Sequence, residues 1–297
     1  MYNKNPSLPE LRQARLLHNN SLLSLQNVCG TALGGKRRKN QKTGERAVIV
    51  FVKNKISESM MEGQAVPKLL RGTNSKILTD VIELQGVETQ YGQAPFFSYD
   101  GMSQGTITAF CISYGNFYAS TCAHCMKGLD LDPFEASDMQ LYHPEMERYL
   151  TVGSSAFAIK APGRGLQGHY GFSDAGLFTI EDHELLARCK KGKAIKCWNN
   201  PRTNSSVYAK TANGLLEGTI EFVEAQYGNI FTDIIIRINK SGTFVGDSGV
   251  LWRTNNGLGV AIHALGSTET NGEGSKMSFG MFANRIALEM NATFIDI

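Results

Sequence analysis

Phe244-Val245-Gly246-Asp247-Ser248-Gly249-Val250-Leu251-Trp252 is the stretch on which the fold is decided. Two glycines bracket a serine between apolar residues. A turn that sharp exposes the hydroxyl and aims backbone N–H groups at one point. Alone, the Gly-Asp-Ser-Gly tetrapeptide is equally a plain turn, so its weight comes from two other stretches. Ala119-Ser120-Thr121-Cys122-Ala123-His124-Cys125 ends an apolar run with a histidine among small residues, which by itself reads as a satisfied core histidine. Gly171-Phe172-Ser173-Asp174-Ala175-Gly176-Leu177-Phe178 carries an aspartate directly into an apolar run. An unpaired carboxylate there would be very costly, and an imidazole N–H is a natural partner. Asp130, Asp132 and Asp138 stand nearer to His124 in sequence, but none opens an apolar run in this way.

The order His124, Asp174, Ser248, with separations of 50 and 74 residues, resembles the trypsin/chymotrypsin-like serine protease family. Ser120-Thr121-Cys122-Ala123-His124-Cys125 is similar to that family's histidine box. Asp174-Ala175-Gly176-Leu177 is similar to its aspartate strand, and Gly246-Asp247-Ser248-Gly249 is identical to its nucleophile turn. The resemblance implies two orthogonal six-stranded β-barrels over residues 95–297, with the site in the cleft between them. It implies Ser248 as nucleophile, His124 as general base and then acid, Asp174 as the group that fixes the imidazole, and the N–H groups of Gly246 and Ser248 as the oxyanion hole. Secreted members link a cysteine early in the first barrel to the one after the catalytic histidine. Cys111 and Cys125 hold those places here, and they are expected to lie close together as thiols.

The resemblance extends to specificity. Gly242, six residues before Ser248, leaves the pocket floor uncharged, which argues against a preference for Arg or Lys. Thr243, with His263 fifteen residues after Ser248, resembles the pocket of glutamyl endopeptidases and of the main proteases of several positive-strand RNA viruses. Those enzymes prefer Glu or Gln before the cleaved bond, and an imidazole and a hydroxyl can both donate to such a side chain. The alternative is that His263 is a satisfied core histidine. Gly266 is expected to let substrate backbone run alongside. One departure stands out: no Arg-Ile-Val-Gly-Gly-like maturation junction occurs near residue 95. Asp247 therefore needs a partner other than a new N-terminus, and the site is either constitutively formed or latent until something binds.

The whole chain agrees with a β-rich reading. It has 297 residues, 42% hydrophobic and 19% charged, which excludes a disordered chain. Its 31 glycines against 8 prolines fit many tight turns between short strands. Short apolar runs bounded by Gly, Asn or Asp recur at residues 107–113, 117–121, 139–142, 151–159, 175–180, 194–198, 230–238, 249–252 and 257–265. A helical pattern follows at 284–290, and Cys189 and Cys197 read as flanking a Lys-rich hairpin. Residues 1–94 read as a small α+β unit. It contains a helix over 9–26, a hairpin of 28–33 with 48–52 whose basic stretch 36–42 is a solvated tip, and a strand over 77–84. This unit loosely resembles the segment before trypsin-like domains in some bacterial intracellular proteins. Regulation, docking of an activating partner and structural completion of a barrel edge all remain open for it.

Composition also excludes partners. A net charge of +3 is too small for nucleic acid to be the main one. No run of 18 apolar residues marks a membrane span, and residues 1–20 lack the apolar core of a leader. Six cysteines point to a cytoplasmic chain with reduced thiols. Cys122 and Cys125 form a CxxC without a second ligand pair, so no metal is expected, and no other cofactor. The expectation is therefore a mostly β, chymotrypsin-like double β-barrel with a small N-terminal α+β unit. It would act as a serine endopeptidase on one or a few protein or peptide substrates. The alternative is a latent or inactive chymotrypsin-fold binding or scaffold protein.

Overall fold

A computed structural model describes residues 2–38, 41–56, 64–73, 75–89, 98–99, 103–126, 138–143, 148–165, 170–268 and 274–297. The chain is mostly β and is carried on two sheets, a chymotrypsin-like double-barrel architecture. In the second sheet six strands close into a ring: Gly214–Tyr227, Ser206–Thr211, Leu251–Arg253, Gly259–Ser267, Met277–Phe282 and Ile230–Ile238, which pairs back onto Gly214–Tyr227. Its interior is apolar and includes the fully buried Trp252, Ile220, Ile234 and Val260. The other sheet follows a nine-strand path in which Ala109–Ser113, Asn116–Thr121, Ser173–Thr179 and Arg148–Ala161 are successive neighbours. The C-terminal strand Ala292–Asp296 returns to pair with Ala109–Ser113, tying the end of the chain to this sheet.

The N-terminal residues share the second sheet. The hairpin of Val28–Arg38 and Gln41–Val52 lies beside Gly214–Tyr227, with Gly34 opposite Phe222 and Gly30 opposite Tyr227. Lys76–Glu83 adds in parallel to Gln41–Val52. The boundary expected at residues 94 and 95 lies outside the described residues. Gly214–Tyr227 is bent by register shifts between Ile220 and Phe222 and between Val223 and Gln226, the geometry of β-bulges. The bulges turn polar residues inward, where each finds a partner from the N-terminal segment. Glu224 receives Arg12 and Arg15, and Gln226 receives Asn19. Both arginines and Asn19 sit on the helix Leu8–Leu23, which starts with a capping box of Ser7 and Glu10. Arg15 is buried and also stacks over the Tyr170 ring, 4.8 Å from its centroid.

The basic stretch 36–42 closes the hairpin of Val28–Arg38 and Gln41–Val52, with Arg38, Gln41 and Lys42 exposed at its end and Lys36 and Arg37 partnered at its base. Lys36 Nζ donates to the Thr79 carbonyl at 3.0 Å, and Arg37 donates to Glu221 and, through its backbone N–H, to Asp80. Lys39 and Asn40 lie outside the described residues. The Lys-rich hairpin expected at Cys189 is instead a helix, His183–Lys191, whose N-cap Asp182 accepts from Leu185 N at 2.7 Å.

Candidate active site

His124 lies on a single 3-10 turn, Ala123–Cys125, directly after the strand Asn116–Thr121. Asp174 lies near the start of Ser173–Thr179, the neighbouring strand. The register brings them together. Asp174 Oδ1 accepts the His124 backbone N–H at 2.9 Å, and Oδ2 lies 2.5 Å from Nδ1 of the ring. Both residues are buried. The segment before Asp174 is clamped by Arg285, which donates to the Phe172 carbonyl, to Ser173 Oγ and to Asp233. Asp233 in turn accepts Gly171 N at 2.6 Å. Of the competing aspartates, Asp138 is exposed, and Asp130 and Asp132 lie outside the described residues.

Ser248 is fully buried on the turn between Phe244 and Val250. Gly246 and Gly249 have φ of 98° and 100°, which only glycine adopts freely. A Cβ on Gly249 would also fall 2.0 Å from the Thr106 carbonyl oxygen. The turn is tied to its surroundings by Thr106 N to Ser248 O at 2.7 Å and Gly249 N to His263 O at 2.8 Å. Ser248 Oγ donates to the Ala264 carbonyl at 3.2 Å, and Cys125 Sγ lies 3.8 Å from Ser248 O. The His124 turn, Asp174 and the Ser248 turn thus form one buried neighbourhood.

Electrostatics there is dominated by two residues that the motif reading did not place in the chemistry. Burial alone would push the Cys125 thiol up. A hydrogen bond with Cys122 and the adjacent His124 reverse this and bring it down to about 6. Burial would push His124 down, but Cys125 and Asp174 hold it up at about 10. All six cysteines are thiols, and Cys111 has Cys189, not Cys125, as its electrostatic neighbour. Cys122, His124 and Asp174 place one sulfur, one nitrogen and one oxygen within 4.8 Å of one another. Such a set could approach a metal, but the His124 ring and Asp174 already spend one donor and one acceptor on each other.

Asp247 is buried, and its Oδ2 accepts Phe244 N at 2.8 Å, so the turn supplies a partner from its own backbone. Burial pushes this carboxyl up to about 6. Thr243 exchanges two backbone hydrogen bonds with Ser275, and Gly242 is packed against Gly274. His263 is fully buried. Its Nδ1 lies 2.8 Å from Ser278 Oγ, which also accepts Trp252 Nε1–H at 2.9 Å. Burial, with the His124 charge adding to it, pushes His263 down to about 3, so it is neutral. Ser278, Trp252 and Arg285 escaped the motif reading because each acts through another residue. For Ser278 the available signal was its place in the apolar strand Met277–Phe282, beside the strand that carries His263, whereas Arg285 stands on the helix Ala283–Glu289. Gly266 has both edges engaged, pairing with Ser278 on one side and Glu88 on the other.

Among the described residues no helix is long and apolar enough to cross a membrane. The family profile described as NARROW LEAF 1 N-terminal domain matches residues 3–82. No curated protein matches the chain. Solved structures do. A glutamic acid specific serine protease that utilizes a histidine triad in substrate binding is 15% identical with a TM-score of 0.45, over 67% of this chain and 97% of that one. Cellulomonas bogoriensis chymotrypsin is 15% identical with a TM-score of 0.42, over 69% and 97%. Protease A of Thermobifida fusca is 17% identical with a TM-score of 0.41, over 66% and 91%.

Proposed function

We propose that the chain is a serine endopeptidase. Ser248 Oγ attacks the scissile carbonyl, and His124 takes its proton and later delivers it to the leaving amine. Asp174 fixes the ring with Nδ1 as donor and stabilises the imidazolium. The N–H groups of Gly246 and Ser248 stabilise the oxyanion. The observation that carries this reading is the double hydrogen bond from His124 to Asp174 inside the neighbourhood that also holds the Ser248 turn. Catalysis of this kind needs no cofactor. Residues 95–297 would supply the catalytic part, and residues 1–94 would brace or regulate it, an activating partner docking there.

Specificity for Gln or Glu before the cleaved bond rests on His263 and Thr243. A neutral His263 offers one N–H without a charge, which suits an amide oxygen as well as a carboxylate. A pocket of this kind fits limited cleavage of a few proteins, in a reducing, cytoplasmic setting that suits six free thiols. The test is covalent labelling with a fluorophosphonate probe. Wild type is expected to label and Ser248→Ala to stay blank. Labelling retained in Ser248→Ala, or no labelling of folded wild type, would overturn the assignment. A cleavage profile dominated by Arg, Lys or large aromatics would overturn the pocket.

A further inference from the structure

The strand Gly259–Ser267 has two edges, and both are taken over the residues that would receive substrate. One edge carries Met277–Phe282, with Gly266 opposite Ser278. The other carries the short strand Val87–Thr89, antiparallel, with Val87 opposite Ser267, Glu88 opposite Gly266 and Thr89 opposite Leu265. Thr268 N donates to Gly86 O at 3.1 Å, which extends the ladder by one pair. Hydrogen-bonded and non-bonded pairs alternate along an antiparallel ladder, so Gly266 and Glu88 form the next hydrogen-bonded pair. Tyr227 donates its hydroxyl to Gln85 O at 3.1 Å and anchors the approach.

A strand edge holds one row of donors and acceptors. A peptide cannot add to Gly266 while Val87–Thr89 is there. Direction matters as well. From Val87 to Thr89 the chain runs from Ser267 toward Leu265, and the next residue of that strand is Ala264, whose carbonyl accepts the Ser248 hydroxyl. The acyl side of a substrate also precedes its cleaved bond and approaches the nucleophile from its N-terminal end.

We propose that Val87–Thr89 is an internal pseudo-substrate. It adds as a strand where substrate adds, and peptide gains the groove only when this strand leaves. The proposal rests on the protease reading through the role given to Gly266. It also gives the N-terminal unit a lever on the site. The strand follows Lys76–Glu83, which is fixed to the N-terminal hairpin, so a movement of that unit pulls directly on the occupant.

The test uses the full chain carrying Ser248→Ala, so that no turnover occurs. Binding of a fluorescein-labelled peptide ending in Gln is followed by anisotropy, with and without Glu88→Pro. Proline removes the N–H that the Gly266 pair requires. At least tenfold tighter binding with Glu88→Pro supports the proposal; equal affinity, or no binding to either chain, overturns it. A second readout does not depend on that variant folding. In the Ser248→Ala chain, saturating peptide is expected to expose the Glu88 amide to hydrogen exchange while Gly266 stays protected. Unchanged protection at Glu88 overturns the proposal. Fluorophosphonate labelling of wild type judges the catalytic reading separately. A labelled chain with no Glu88→Pro effect loses only the pseudo-substrate, whereas an unlabelled chain with the effect keeps the groove and loses the chemistry.

Discussion

Asp174 holds His124 at two points, the backbone N–H at 2.9 Å and ring Nδ1 at 2.5 Å. The first contact fixes where the turn sits and the second fixes how the ring faces. Asp174→Asn keeps the shape and the first contact. It puts an N–H donor against Nδ1, which forces the tautomer that cannot accept the Ser248 proton. We expect hydrolysis of a peptide ester to fall by about 10⁴-fold. A loss below tenfold would show that the pair is structural.

Cys125 sets the proton affinity of His124. Only the neutral ring acts as base, so a His124 held at about 10 places the activity limb on the alkaline side. Cys125→Ala removes the largest raising influence, and the limb should move down toward the ordinary histidine value of about 6.5. Stability follows the same group. Its folded value lies above its unfolded one, so its contribution is complete below about 6.5 and is lost as pH rises through about 10. Histidine ring NMR across pH 5–11, in wild type and variant, reads both effects.

Asp247 titrates in the opposite sense to a paired carboxylate. Burial raises it to about 6. As pH climbs from about 4 to 6 the unfolded chain releases this proton first, so stability falls over that window and stays lower above it. Asp247→Asn keeps an oxygen for Phe244 N and removes the buried charge. The variant should melt a few degrees higher than wild type at pH 7.5 and level with it at pH 4. Calorimetry at the two pH values decides this, and a lower melting point at pH 7.5 would mean that the charge has a stabilising partner.

Ser278 supports His263 from behind, together with Trp252. Removing its hydroxyl frees the ring to choose either tautomer and orientation. Ser278→Ala should lower kcat/KM for peptides with Gln or Glu before the cleaved bond by roughly tenfold. Labelling by a small fluorophosphonate, which needs no side-chain pocket, should stay within about twofold. Equal losses in both would assign Ser278 to packing alone.

The three stretches carrying His124, Asp174 and Ser248 were legible because each is local. Glycines permit the Ser248 turn, and an aspartate entering an apolar strand demands a partner. Ile230–Ile238 was legible for the same reason, as a run rich in β-branched residues around Ile234-Ile235-Ile236. Gly214–Tyr227 was not. Its bulges put Glu221, Glu224 and Gln226 on the buried side, where alternation reads them as outward, and the arginines that neutralise the glutamates are remote in sequence. Helix His183–Lys191 is too short for a periodic signal, and only the Asp182 cap announced it. Val87–Thr89, three residues long, has no pattern of its own and owes its form to the edge of Gly259–Ser267.

The pairing of Gly34 with Phe222 joins residues 188 positions apart. At a synthesis pace of roughly 5–20 residues per second, the first hairpin leaves the ribosome some 10–40 seconds before its neighbour strand exists. During that interval the apolar end of Val28–Arg38 is an open edge, with charge only at its far end, in Lys36, Arg37 and Arg38. A chain released at residue 213 would keep that edge open permanently, and we expect it in the insoluble fraction. Full-length chains, completed by the late strand, should remain in solution. The hairpin that is read out first thus waits for one of the later strands before its sheet is closed.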